Sequence, residues 1–332
     1  MSPVKFNQSV LDRLSKKVKN LKWQYQGSRV EKAVAQVQAE LDQQKIDFKI
    51  RCWASDDWYT PDGQVGFAFP FYLLDPKLSS IATAMDVNVE GRTQTELVKL
   101  IRHEVGHTLD NAFCLRKKAG RKKLFGAQIK YPLSYSPKYQ RSAYVDHLGD
   151  GYAESHPDED FAETFSVWLG QCDIWKTKYQ SRSQAYAKLK QVDQWMTDLK
   201  NQKPINNRVK AEDLASKDGR SLKEVFLKRA SNEIKYARKI FSEFTQELDP
   251  SQCESLHRWL RKNKKRCIHQ VATYTGHSID QVSRISRCFE SEALHIKGKK
   301  QRLSLLDQEQ FLDHLTLTCL ESQRRGFHRI KL

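Results

Sequence analysis

Apolar positions recur at helical spacing along most of the chain. Val10, Leu11, Leu14 and Val18 form one stripe, and a second helix is expected from Ser28 through Val34, Val37 and Leu41. Ser28-Arg29-Val30-Glu31 has the residues of a capping box at its start. The period then changes: Phe48, Ile50 and Cys52 alternate and predict a strand over 47–53, followed by turn residues at Ser55-Asp56-Asp57 and Pro61-Asp62-Gly63. A second strand is predicted over 65–74, with Pro70 assigning it to a sheet edge. Such an edge either stands alone or adds an extended peptide through main-chain hydrogen bonds.

Helical spacing returns at residue 95. Thr93-Gln94-Thr95-Glu96 is another capping box, and Leu97, Leu100, Ile101, Val105, Ala112 and Phe113 supply the apolar stripe behind it. Residues 116–140 break the pattern and carry Arg116-Lys117-Lys118 and Arg121-Lys122-Lys123, which reads as a solvated loop or a substrate-facing rim. Pro157 suits the first turn of a further helix, with Asp158, Glu159 and Asp160 at its positive end and Phe161, Phe165, Trp168 and Leu169 on its apolar face. Residues 204–220, with Pro204, Asn206-Asn207 and Asp218-Gly219, read as a linker. Helices are predicted beyond it over 222–244, 252–259 and 305–320.

The stripe from residue 95 carries the chemistry. His103-Glu104-Val105-Gly106-His107 puts two imidazoles one helical turn apart on one face, with a carboxylate beside the first. Both rings can reach one metal ion, and Glu104 can deprotonate a water there. A catalytic zinc site takes three protein ligands and leaves a position open. Glu159 and Glu163, one turn apart and flanked by Phe and Trp, are the first candidates for the third ligand. Asp110, three residues after His107, is a rival or an outer-shell carboxylate, and His156 is another rival.

The run Tyr152…Glu159-Asp160-Phe161-Ala162-Glu163-Thr164-Phe165 resembles the corresponding stretch of the anthrax lethal factor and Pro-Pro endopeptidase group. Together with HEVGHTLDNAF, the HPDEDFAETF segment looks like bacterial proteins described as zinc-binding metallopeptidases, of the gluzincin clan. The resemblance covers about residues 51–169. It implies Glu159 as the third zinc ligand, Tyr152 as the oxyanion-stabilising tyrosine, and Glu163 as the outer-shell partner of a zinc-bound histidine. It also implies an α+β, zincin-like catalytic domain with a small mixed sheet, one Zn2+ per chain, and a peptide or protein as substrate. The metzincin pattern fails, because Asp110 replaces its glycine and Phe113 its last ligand.

Composition adds bounds. The 332 residues suffice for roughly two domains. We divide them into N-terminal helices (1–45) packing on a peptidase domain (46–203), the linker (204–220), and a basic helical domain (221–332). A mean hydropathy of −0.71 and the lack of an 18-residue apolar run exclude a membrane helix. Seven scattered cysteines without a CxxC pair, and no apolar segment behind a basic N-terminus, predict a cytoplasmic protein. The net charge is +17; residues 204–332 hold 26 Lys and Arg against 16 Asp and Glu, and the first 203 are basic too. Residues 271–285 are similar to the helix-turn-helix of bacterial repressors, with His277 where an apolar residue is usual and Arg284 and Arg287 able to meet phosphates. A packing or protein-recognition module is the preferred reading of that segment, and nucleic-acid binding the minority one. Two alternatives to a peptidase follow: a DNA- or RNA-binding regulator with a peptidase-like domain, or a structural zinc protein.

Overall fold

A computed structural model describes residues 6–132, 142–149, 151–230, 250–277 and 305–324, with isolated positions between these spans. The chain is α+β with mostly helices, and it divides into two compact units. The larger takes residues 5–85 and 89–228, and the smaller takes 86–88 and 229–329. Among the described residues no helix is long and apolar enough to cross a membrane.

In the larger unit, α1 (Gln8–Ser15) and α2 (Arg29–Gln43) come first. Ser28 caps α2 as its sequence indicates, accepting from the Glu31 amide at 3.1 Å while Glu31 accepts from the Gly27 amide. The strand expected over 47–53 forms only at its end: β1 is Cys52–Ser55, paired in parallel with β2, Phe67–Pro70. Phe48 and Ile50 are buried as their alternation requires, but their backbone bonds to a side chain of α2. Gln38 donates to the Phe48 carbonyl (2.8 Å) and accepts from the Ile50 amide (2.9 Å). The expected second strand also shortens, because residues Phe71–Leu74 turn into a 3-10 helix. Its outer side is not an open edge at Ala68, which exchanges main-chain bonds with Tyr59. The sheet is therefore a two-stranded parallel pair rather than a mixed one, and the peptide-adding edge is already occupied there.

After α3 (Pro76–Ala84) comes α4, Gln94–Phe113, with the Thr93 capping box complete in both directions. It packs on α6 (Pro157–Gln171), with the short α5 (Arg121–Phe125), α7 (Ile174–Lys178) and α8 (Ser183–Asp198) around them. Gly106 makes the α4–α6 crossing close: a Cβ there would stand 3.0 Å from the Ala162 Cα. Arg102 grips Glu40 of α2 through two bonds of 2.7 and 2.6 Å, tying the N-terminal helices to α4.

The stretch 204–220, read as a linker, lies bound on the larger unit. The amides of Ile205 and Asn206 donate to the Ala112 carbonyl, the Arg208 carbonyl accepts from Val65, and Arg220 pairs with Asp56 at 2.8 Å. Its main-chain bonds go to the C-terminal end of α4 and to the chain at Val65, partners that sequence spacing does not reveal. The α9 helix, Leu222–Arg229, starts within the same unit, and Phe226 packs edge-on to Tyr72.

The smaller unit contains α10 (Pro250–Thr275) and α11 (Leu305–Arg324) around a core of Phe241, Leu260, Ile268, Val271, Phe289, Phe311 and Leu315. Val282 and Ile285, the packing positions of the repressor-like segment, belong to that core. Arg284 and Arg287 lie outside the described residues.

Candidate metal centre

Two helices build the centre. α4 contributes His103 and His107, one turn apart, and α6 contributes Glu159 from its first turn. His103 Nε2 lies 2.9 Å from Glu159 Oε2, His107 Nε2 lies 3.2 Å from the same oxygen, and the two Nε2 atoms are 3.1 Å apart. All three side chains are buried, at 3, 9 and 4% exposure. Their ligand atoms form the one such His/Cys/Asp/Glu group found among the described residues.

The chemistry of that cluster tests whether a cation fits. Glu163 Oε1 sits 3.0 Å from His103 Nδ1, and a carboxylate oxygen can only accept, so Nδ1 carries the hydrogen. The lone pair of His103 Nε2 then faces the Glu159 oxygen and the second imidazole. Three electron-pair donors converging in a water-poor site require a positive charge among them, either a proton or a metal ion. Two imidazole nitrogens and one carboxylate oxygen are a donor set that zinc accepts. The electrostatics agree: burial alone would push His103 down, but the hydrogen bonds and charges of Glu159 and Glu163 override it and raise it to about 10. Burial likewise pushes Glu159 up, and the two imidazoles overcome it and hold the carboxyl well below its ordinary range.

Glu163 is itself held. Its Oε2 accepts from the amides of His147 (3.2 Å) and Leu148 (2.9 Å), so one oxygen orients His103 and the other is fixed by backbone. Glu104 is buried beside the cluster, and its Oε2 accepts from the Thr60 hydroxyl at 2.8 Å. Burial raises its pKa, against the opposing pull of His103, His107 and Thr60. Tyr152 begins a 3-10 turn, Tyr152–Glu154, and its ring centroid is 5.5 Å from that of His103. Burial, then the nearby Glu159 charge, raises the phenol well above its usual value.

Two rival ligands are engaged elsewhere. Asp110 accepts from the Arg116 amide (2.8 Å) and pairs with Arg116 and Arg121 at 3.2 Å. Arg121 also reaches Asp158 of α6 at 3.3 Å, so this ion cluster cross-links the two helices next to His107 and Glu159. His156 caps α6, its Nδ1 accepting from the Asp158 amide (3.1 Å) and its Nε2–H donating to the Ile129 carbonyl (2.9 Å).

Sequence reasoning missed four contributors. Thr60 lies 44 positions before the glutamate it touches. The amides of His147 and Leu148 carry no side-chain signal. Tyr131 donates to Glu159 Oε1 at 3.0 Å and stacks on His156 with centroids 3.6 Å apart. The basic loop therefore contributes to the site through an uncharged residue, and only its aromatic content hinted at that.

Comparison with known families matches part of the chain. The model of a family described as "Putative zinc-binding metallo-peptidase" matches residues 83–223, a span that contains His103, Glu104, His107, Tyr152, Glu159 and Glu163. No curated protein and no solved structure matches the chain.

Proposed function

On the premise of that family match, we propose that the chain is a zinc-dependent endopeptidase of the gluzincin type, its zincin-like domain built around α4 and α6. His103, His107 and Glu159 hold one zinc ion per chain. The observation that carries this reading is the convergence of those three ligand atoms beside a buried glutamate. Bound zinc supplies Lewis acidity, polarising the scissile carbonyl and acidifying water.

The chain's own residues do the rest. Glu104 accepts a proton from the attacking water and later delivers it to the leaving amine. Its raised pKa makes it a stronger base than an ordinary carboxylate, and Thr60 holds the acceptor oxygen in place. The Tyr152 phenol stays protonated at neutral pH and donates to the developing oxyanion. Glu163 fixes the His103 tautomer, keeping Nε2 free for the cluster. Asp110 acts through Arg121 as a cross-link and not on the ligands themselves. A structural zinc site needs neither Glu104 nor Tyr152 and closes with four protein ligands. The free thiols of the described cysteines support a cytoplasmic setting as part of the same proposal.

The test pairs metal analysis with cleavage of a peptide library. Glu104→Gln should retain one zinc per chain and lose on the order of 10²–10⁴ in kcat/KM. Glu159→Ala should lose zinc, whereas Asp110→Ala should keep it. Full activity in Glu104→Gln would refute the mechanism.

A further inference from the structure

Residues 255–279 contain six lysines and arginines and no aspartate or glutamate. They fall largely on one helix, α10, and the helix sorts them. Arg258, Lys262, Lys265, Arg266 and His269 are exposed, while Leu260, Cys267, Ile268 and Val271 are buried in the core of the smaller unit. At 3.6 residues per turn the five exposed side chains share about 100° of arc and run about 16 Å along the axis. None of the five has an ion-pair partner among the described residues. The result is a stripe of four lysines and arginines, with His269 among them, along one face of a single helix.

We infer that this stripe of α10 binds the phosphate backbone of double-stranded nucleic acid, without reading its sequence. The stripe offers charge at regular spacing and no apolar anchor. An acidic protein partner would need an apolar centre to the interface, and the stripe presents none. An anionic membrane would need an exposed apolar helix face to insert, and the apolar face of α10 is already buried against Phe311 and Leu315. A phosphodiester chain asks only for cations in a row. The inference differs from the repressor-like reading of residues 271–285, because it rests on α10 itself and needs neither Arg284 nor Arg287. It is also independent of the peptidase proposal.

The experiment measures anisotropy of a labelled duplex of about 20 base pairs with the full chain, zinc-loaded and zinc-free, at 50 and 200 mM salt. With Arg258, Lys262, Lys265 and Arg266 on phosphates, affinity should fall roughly 100-fold between the two salt concentrations, equally with and without zinc. The triple variant Lys262→Gln, Lys265→Gln, Arg266→Gln should bind more weakly at 50 mM and lose less than about tenfold between them. Glutamine at exposed helix positions preserves folding, which circular dichroism checks. A control removes three exposed cations of the other unit, Lys117→Gln, Lys123→Gln and Lys203→Gln. The inference is overturned if the control loses as much affinity as the α10 variant, or if the α10 variant keeps the full salt dependence. Binding to phosphatidylserine vesicles in place of the duplex also overturns it.

Discussion

Gly106→Ala separates the demands of one helix from those of the site. Gly106 lies inside α4, where alanine is worth about 1 kcal/mol more than glycine in intrinsic helix propensity. The added methyl would sit 3.0 Å from the Ala162 Cα, 3.1 Å from the Phe165 Cδ1 and 3.3 Å from the Ala162 Cβ. Carbon contacts relax to about 3.5–4.0 Å, and the nearest of these belongs to backbone that cannot rotate away. The two helices must therefore part by roughly 0.5–1 Å. Overpacking of this kind costs about 1–3 kcal/mol, so the metal-free variant should range from nearly neutral to about 2 kcal/mol less stable. The centre should suffer more, because metal–ligand distances tolerate only about 0.2 Å. His103 and His107 ride on α4 and Glu159 on α6, so the separation acts directly on the donor set. Zinc affinity, measured by competition with a chromophoric chelator, should drop at least about tenfold, while urea unfolding of the metal-free protein loses no more than about 2 kcal/mol. A variant stabilised by about 1 kcal/mol that binds zinc as tightly as the parent would show that the helix crossing does not set the site.

Tyr131→Phe removes the donor to Glu159 Oε1 and leaves the ring stacked on His156. Zinc affinity should fall by about 10–100-fold with folding unchanged, and no change would remove Tyr131 from the metal's support. A third expectation concerns acid. Burial holds His147 neutral and lowers it to about 4, against the opposing Glu163 charge, while the unfolded imidazole titrates near 6.5. The unfolded state then binds more protons between those values, so this group should make stability fall as pH drops from about 6.5 to 4, by up to about 3 kcal/mol. In His147→Gln the amide can still donate to the Lys99 carbonyl but does not titrate. The pH dependence of its urea midpoint should be shallower in that window, and an unchanged slope would mean that another group is responsible.

What could be read from residues alone was whatever depends on short sequence separation. Thr93 and Ser28 as helix caps, Pro157 at the first turn of α6, and the i,i+4 histidines are local geometry, and local geometry follows from the chain. Where the backbone found its partner at a distance, the reading weakened. Gln38 replaced a neighbouring strand for Phe48 and Ile50, and Tyr59 filled the side of β2 that had been open to a peptide. The apparent linker 204–220 found acceptors at the end of α4 and a donor at Val65, all more than ninety residues away.

The centre divides in the same way. The sequence by itself determined that His103 and His107 share a helix face with Glu104 beside them, because 3.6 residues per turn leaves no other arrangement. Only the tertiary structure decided that Glu159, 52 positions from His107, meets both rings on one oxygen while Tyr131 holds the other. It also decided that Asp110 and His156 are bonded elsewhere. The reason is the α4–α6 crossing, where Gly106 and Ala162 have no bulk to keep the helices apart. That contact brings donors from two distant segments within about 3 Å, a distance that periodicity cannot encode.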